Sequence, residues 1–249
     1  MRHQLGGVQV KFEQSETALM TKSSFKIAFL IYPGMTQLDF TGPAEVLGLM
    51  PDAEIILVWK TRDPVHSDNG IGFLPHATLA DEAIYDMVCV PGGFSCTELM
   101  TDTAVIDWLK QQAETAEYVT SVCTGSLILG AAGLLDGYNA GCHWAWAEHL
   151  KRFGATPTRQ RVVIDRNRIT AGGVTAGIDF GFRIIEKRLG RDMAEAFQLG
   201  IEYDPEPLSG GVPESARPEI LNFVATSISA NHDNRIDDII KAANTMRSQ

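Results

Sequence analysis

The sequence lacks the long apolar segments that would place it in a membrane. None of its hydrophobic runs reaches the roughly 20 residues that a membrane-spanning helix needs. Residues 1–21 are polar and mixed, without the apolar centre of a secretory signal. We therefore expect a cytoplasmic protein with no membrane partner, and we interpret residues 1–24 as an N-terminal extension outside the fold.

Positive charge and cysteine are also scarce. The chain has 21 Lys or Arg against 31 Asp or Glu, a net charge of −10 at pH 7. Because phosphate binding needs clustered basic side chains, we expect no nucleic-acid partner. The four cysteines (Cys89, Cys96, Cys123 and Cys142) are too few for a disulfide framework, and no Cys-x-x-Cys pair predicts a structural zinc site.

Strand-like apolar runs alternate with segments of helical spacing, and this pattern predicts the fold class. We predict strands at residues 25–32, 54–59, 85–90 and 118–122, and two short strands within 161–170. We predict helices at residues 38–50, 103–117, 127–135, 143–150, 178–189 and 193–201. The alternation favours right-handed crossovers and a mostly parallel sheet in one α/β domain, residues 25–230, followed by a polar C-terminal tail, 231–249.

The functional prediction depends on the junction at Cys123. Residues 118–122 (Tyr-Val-Thr-Ser-Val) favour a strand and residues 127–135 favour a helix, so Cys123 lies on a sharp strand-to-helix turn. There the N–H groups of the helix start would favour the reactive thiolate. A buried structural cysteine is the alternative, and position alone does not separate the two.

Two further motifs follow other strands and are expected at the same edge of the sheet, where ligands bind in such folds. Residues 91–93 (Pro-Gly-Gly) would bring backbone N–H groups to a substrate, or would form a plain turn. Residues 37–43 (Gln-Leu-Asp-Phe-Thr-Gly-Pro) make Asp39 either a helix N-cap or a carboxyl acid/base beside Cys123. In a partly dry pocket its pKa would be raised, so that it could hold a proton near neutrality.

Other chemistries find little support in the sequence. A Cys–His dyad would require His143, for which a structural hydrogen bond at a helix start is the simpler interpretation. No spacing of His, Cys or carboxylates predicts a metal site. No Gly-x-Gly-x-x-Gly or phosphate-loop motif predicts a bound nucleotide. We therefore expect neither a metal nor a cofactor.

Five segments together resemble the ThiJ/PfpI superfamily: residues 37–43, 91–93, 118–126, 143–144 and 171–179. The resemblance covers residues 25–207 and implies a flavodoxin-like three-layer sandwich with a mostly parallel central sheet and a cysteine on a nucleophile elbow. Within the superfamily, the motifs are most similar to those of isocyanide hydratases. That likeness implies a cofactor-free homodimer that converts an isocyanide and water to an N-substituted formamide.

The resemblance also implies roles for individual residues. Cys123 would be the nucleophile, and Asp39 would be the acid/base that bonds to the thiol and handles the water. Thr124 follows the nucleophile where the PfpI proteases often have His, and this difference counts against peptidase activity. Val174 matches a β-branched residue that packs near the nucleophile.

An isocyanide suits these residues because its terminal carbon accepts a nucleophile and a proton at one atom. Cys123 would attack that carbon while Asp39 delivers a proton, and water activated by Asp39 would then release the formamide from a thioimidate. The backbone at Gly92 and Gly93 would bind substrate, with the N–H groups of Gly93 and Thr124 holding developing negative charge.

Three alternatives remain. A glyoxalase-like or other cysteine-dependent activity is the first, although that branch typically has Glu, not Asp, near the thiol. A sensor domain of an AraC-type regulator is the second, but nothing after Ile220 is long or basic enough for a helix-turn-helix. The third is a sensor that works by oxidation of Cys123, which needs only a thiol of low pKa.

Overall fold

The computed structural model describes residues 24–229 and 233–248, so the N-terminal extension lies, except for Ser24, outside the described residues. The strands are β1 (Phe25–Leu30), β2 (Ala53–Trp59), β3 (Val65–His66), β4 (Gly72–Phe73), β5 (Ala77–Thr78), β6 (Met87–Val90), β7 (Tyr118–Val122), β8 (Asn139–Ala140), β9 (Thr156–Pro157), β10 (Val162–Asp165) and β11 (Arg168–Ala171). The α-helices are α1 (Leu38–Leu47), α2 (Cys96–Leu99), α3 (Thr103–Ala113), α4 (Gly125–Ala131), α5 (Ala176–Leu189), α6 (Arg191–Gly200), α7 (Pro218–Ser229) and α8 (Asp233–Arg247). A 3-10 helix spans Ala147–Phe153.

A seven-stranded sheet forms the centre of the fold, in the order β10-β11-β7-β6-β1-β2-β5. Neighbouring strands run parallel except for the β10–β11 hairpin. The central strands β6 and β7 are buried along their whole length. A parallel sheet covered on both faces needs such continuous apolar strands, and this explains the unbroken apolar runs in the sequence.

Helices flank this sheet, as the predicted flavodoxin-like α/β fold requires. Helix α1 packs against α5, and α4 packs against α2, α8 and the 3-10 helix. Helix α3 buries the apolar side chains of one face, Val105, Ile106, Trp108 and Leu109. The mostly parallel sheet, its flanking helices and the predicted strand–helix order are therefore confirmed.

Two hairpins are also present, and one of them is formed by the two short strands predicted within residues 161–170. Strands β3 and β4 form a small antiparallel pair beside the main sheet, and β10 pairs with β11 across the Asp-Arg-Asn turn. Arg166 in that turn has a φ of 56°, the left-handed conformation that a tight hairpin demands.

The helix predicted at residues 143–150 is wrong in type and position. Residues 144–146 form a turn, and the helix that follows is a 3-10 helix ending at Gly154, whose φ is 77°. Cys142, just before this turn, and Trp146, its last residue, are both buried. Tertiary packing of these side chains, which local propensity does not include, sets the backbone here.

The polar tail predicted for residues 231–249 is corrected by α8. Ile239, Ala242 and Ala243 lie on one side of this helix and are buried against α2, α4 and the 3-10 helix. Their spacing of three and four residues gives a narrow apolar stripe on an otherwise polar helix. None of the helices described here has the length and apolar character needed to cross a membrane.

Candidate active site

The turn from β7 into α4 places Cys123 in a strained conformation. Its φ is 58°, in the left-handed region that non-glycine residues adopt only when their surroundings hold them there. The Cys123 N–H lies 2.9 Å from the Gly172 carbonyl oxygen and 3.2 Å from that of Ala171. A Cβ on Gly125 would lie 2.0 Å from the Val90 carbonyl oxygen, so only glycine lets α4 start this close to β6. The sharp strand-to-helix turn predicted at Cys123 is therefore present.

Asp39 reaches the same site from α1. It lies one residue inside the helix, whose N-cap position is occupied by Gln37, so the N-cap interpretation is wrong. The Asp39 side chain is fully buried, and its Oδ2 accepts a hydrogen bond of 2.8 Å from the Gly92 N–H. Its Oδ1 is buried with no hydrogen-bond partner among the described residues, and is therefore available to take a proton.

Burial raises the pKa of the Asp39 carboxyl to about 7, against the opposing effects of the Gly92 N–H and the nearby Cys123 thiol. Burial, together with the negative charge of Asp39, also raises the pKa of the Cys123 thiol well above its ordinary value. The two groups therefore hold at least one proton between them near neutrality, with the thiol in its neutral form.

Burial therefore opposes the resting thiolate expected from the position of Cys123. The Thr124 N–H does favour a charged sulfur, but the loss of solvent around Cys123 outweighs this effect. In the isolated site, Cys123 reaches its reactive form only when a base removes its proton. Asp39 is the carboxyl placed to do so.

Two of the backbone amides predicted to meet the substrate, those of Gly92 and Gly93, are engaged within the protein. The Gly92 N–H donates to Asp39, and the Gly93 N–H donates to Thr124 Oγ1 over 3.0 Å. A Cβ on Gly92 would lie 2.6 Å from Thr124 N and 2.9 Å from Asp39 Oδ2. In this structure these two glycines therefore position Asp39 and Thr124, and their amides are not free donors for a ligand.

A cavity of about 120 Å³ opens beside the Cys123 sulfur. It is lined by Thr36, Gly93, Phe94, Cys96, Cys123, Thr124, His143, Trp146, Val174, Ile228 and Arg235. Cys123, Thr124, Gly93 and Val174, predicted from separate parts of the chain, therefore meet around one space. The volume is below the roughly 300–1,000 Å³ of pockets for drug-sized ligands, so the cavity suits a small molecule.

His143 lines this cavity but does not form a dyad with Cys123. Its Nδ1 accepts a 3.3 Å hydrogen bond from the Ala145 N–H in its own turn. Burial lowers the pKa of His143, which keeps the ring neutral. The structural interpretation of this histidine therefore fits the geometry.

Several lining residues were not found from the sequence. Phe94 and Cys96 follow the predicted Pro-Gly-Gly turn directly, and their proximity to that turn was a usable signal. Ile228 and Arg235 belong to α7 and α8, where no motif distinguishes them. Within residues 24–229 and 233–248, the four cysteines are free thiols and no group of three or more His, Cys, Asp or Glu side chains is arranged to hold a metal ion.

Comparison with known proteins agrees with this architecture. The DJ-1/PfpI family model matches residues 25–187. An isonitrile hydratase of Pseudomonas putida is 45% identical over 200 residues, which cover 80% of this chain and 88% of that protein. The crystal structure of a THiJ/PfpI family protein from Pseudomonas syringae superposes with a TM-score of 0.85 and 36% identity, covering 97% of this chain and 98% of that one.

A regulator is also among the similar proteins. The HTH-type transcriptional regulator GbdR of Pseudomonas aeruginosa is 30% identical over 186 residues, which cover 72% of this chain but 50% of the regulator. The likeness thus covers half of that longer protein, whereas the hydratase is matched over most of its length. The predicted superfamily and fold are confirmed, and the chain belongs to the DJ-1/PfpI family.

Proposed function

We propose that this protein is an isocyanide hydratase, which converts an isocyanide and water to an N-substituted formamide through a covalent thioimidate on Cys123. The observation that carries the proposal is the buried Asp39 carboxyl, with a pKa of about 7, beside a buried thiol at the wall of a small cavity. The likeness to the isonitrile hydratase of Pseudomonas putida supports the same chemistry.

The first step uses the proton that Asp39 and Cys123 share. Ionised Asp39 takes the proton from the thiol as the sulfur attacks the terminal carbon of the isocyanide. The carboxyl then gives that proton to the same carbon, so one C–S bond and one C–H bond form. The product is a thioimidate, and no charge has to persist on a buried sulfur.

The second step returns the site to its starting state. Asp39, ionised again, takes a proton from a water that attacks the thioimidate carbon. The C–S bond then breaks, the sulfur recovers a proton, and the imidic acid tautomerises to the formamide. The Thr124 N–H, directed at the sulfur, would stabilise it as it leaves.

Thr124 and Val174 have supporting roles in this proposal. The Thr124 hydroxyl bonds to both the N–H and the carbonyl of Gly93, which fixes the loop that carries the Asp39 partner Gly92. Val174 lines the cavity and would contact the substituent on the isocyanide nitrogen. Small substituents fit the available volume best.

The raised pKa of Cys123 favours turnover over oxidation sensing. Sensor cysteines are oxidised readily because their thiolate is populated at rest, whereas burial keeps this thiol protonated. The glyoxalase-like alternative is disfavoured by Asp in place of Glu beside the thiol.

We also propose that the protein acts as a cytoplasmic homodimer. Support for the dimer comes from α7, none of whose residues is buried although Ile220, Phe223 and Val224 are apolar. An exposed apolar helix face of this kind is typical of a protein–protein interface.

A direct assay tests the proposed reaction. Purified protein is incubated with isopropyl isocyanide, and N-isopropylformamide is followed by NMR. We expect turnover by the native protein and a loss of about a thousandfold or more in Cys123→Ala, because the covalent route is removed. Mass spectrometry of quenched native enzyme should detect the thioimidate adduct on Cys123.

Cys89→Ala is the matched control, since Cys89 is a buried thiol in β6 that does not line the cavity. It should keep its turnover. Full activity in Cys123→Ala would remove the covalent mechanism, and consumption of methylglyoxal without any formamide from the isocyanide would favour the glyoxalase-like activity.

A further inference from the structure

Arg235 brings a positive charge to the cavity from the C-terminal helix. Among the described residues that line the cavity it is the only charged one, because His143 is held neutral by burial. Its guanidinium carbon lies 4.6 Å from the centre of the Phe94 ring, so the side chain rests on this aromatic face. Its charge also reaches the neighbouring Cys96 thiol and opposes the rise in the pKa of that thiol.

The guanidinium is incompletely satisfied. Among the described residues, Arg235 Nη1, which is buried from solvent, has no hydrogen-bond partner, and no carboxylate forms an ion pair with this arginine. Leaving a charged donor buried and unpaired costs stability. The guanidinium that lines the cavity therefore carries a positive charge without a counter-ion among the described residues, and an anionic ligand would supply one.

Packing on the body of the protein holds Arg235 in place. Ile239 follows it by four residues on the same side of α8 and is fully buried. At the other end of the helix, Arg247 donates a 3.1 Å hydrogen bond to the Arg152 carbonyl oxygen. The helix is therefore fixed at both ends of its contact with the body, and Arg235 has a defined position over the cavity.

We propose that Arg235 binds an anionic group, a carboxylate, on the substituent of the isocyanide nitrogen, so that the substrate class is small isocyanides bearing a carboxylate. This inference rests on the proposed hydration reaction for its reacting group. The reacting carbon would lie at Cys123, and the carboxylate would accept a hydrogen bond from the Arg235 guanidinium where this side chain lines the same cavity. A planar guanidinium is well suited to a carboxylate, because it presents paired donors in one plane.

Isocyanoacetate and isobutyl isocyanide test the proposal, since they have nearly the same shape and differ in charge. We expect the native enzyme to favour isocyanoacetate in kcat/KM by about tenfold or more, the effect of one charge-assisted hydrogen bond. Arg235→Met keeps a long side chain against Phe94 but removes the charge, and should abolish this preference. Arg235→Lys should retain part of it.

Lys241→Met is the matched control, because it removes one exposed positive charge from the same helix without touching the cavity. It should keep the native preference. No preference in the native enzyme, or the same preference in Arg235→Met, would overturn the carboxylate assignment while leaving hydration of neutral isocyanides intact.

A binding measurement separates this inference from the proposed reaction. Calorimetry compares N-formylglycine with neutral N-isobutylformamide on native protein and on Arg235→Met. If Arg235→Met binds N-formylglycine about tenfold more weakly than the native protein does, the anion site is supported, even if no isocyanide is turned over. Equal binding of the two formamides by the native protein refutes the site, whatever the outcome of the turnover assay.

Discussion

The elbow at Cys123 and the C-terminal helices α7 and α8 border the same cavity but are built in different ways. The elbow follows the fully buried strand β7. Backbone hydrogen bonds and the close contact of Gly125 with Val90 hold the backbone of Cys123 in place there. Helix α7 has no buried residue, and only Ile228 extends from it to the cavity. In the proposed reaction the parallel core would therefore supply the reacting groups, and the C-terminal helices would supply the wall that selects the substrate.

The largest effect should come from removing the acid/base at the elbow. Asp39→Asn keeps a side chain that can accept the Gly92 N–H but cannot carry the proton of either step. We expect kcat/KM for an alkyl isocyanide to fall by about 10²–10⁴-fold. The native acid limb, on which kcat/KM rises as Asp39 ionises near pH 7, should disappear in this variant.

The same substitution should stabilise the fold at neutral pH. The pKa of Asp39 is raised from 3.8 to about 7, so from about pH 4 to pH 7 the folded protein holds a proton that the unfolded chain has released. The contribution of this group to stability is therefore largest at low pH and is lost as the pH rises through that window, at about 1.4 kcal/mol per unit.

Thermal unfolding at pH 5 and pH 8 measures this effect. Between pH 5 and pH 8, Asp39→Asn should lose less stability than the native protein. Asp107→Asn, at an exposed position of α3, should lose as much as the native protein. If the stability of Asp39→Asn depended on pH as strongly as that of the native protein, the assignment of the raised pKa to this carboxyl would be contradicted.

A smaller effect, on stability more than on chemistry, should come from the glycine contact behind the elbow. Gly125→Ala would place a methyl group 2.0 Å from the Val90 carbonyl oxygen. Overpacking of this kind typically costs about 1–3 kcal/mol, and chemical denaturation would measure the cost. Activity should fall as well, because α4 must move away from β6 and take Cys123 with it.

Gly200→Ala provides the comparison, since a Cβ there meets nothing within 4 Å and Gly200 lies at the end of α6. This change should be neutral or stabilise by up to about 1 kcal/mol. Equal stability of the two variants would show that the elbow is less tightly constrained than its contacts indicate.

The smallest effect on folding should come from the exposed face of α7. Phe223 is 72% exposed, so Phe223→Ser should change the free energy of unfolding of one chain little. If α7 forms the proposed dimer interface, the variant should shift toward monomer in light scattering after size-exclusion chromatography. Ile84→Ser, at a 67% exposed side chain before β6, should remain dimeric.

Much of the fold was accessible from sequence because parallel strands and their crossover helices have distinct patterns. The apolar run of β1, the spacing of α3 and the β10–β11 hairpin were each predicted and observed. Predictions failed where long-range packing determined the conformation. Residues 144–146 form a turn because Cys142 and Trp146 are both buried, and α8 forms because Ile239, Ala242 and Ala243 pack against the body of the protein.

By itself, the sequence determined that Cys123 sits where a strand meets a helix and that Asp39 and the Gly92-Gly93 turn follow other strands of the same sheet. Those are properties of local pattern and chain order. Only the tertiary structure decided that burial raises the pKa of the Cys123 thiol, that the Gly92 and Gly93 amides are already bonded, and that Arg235 reaches the cavity. Protonation and hydrogen-bond partners depend on the loss of solvent and on groups distant in the chain, and neither is encoded in the spacing of residues.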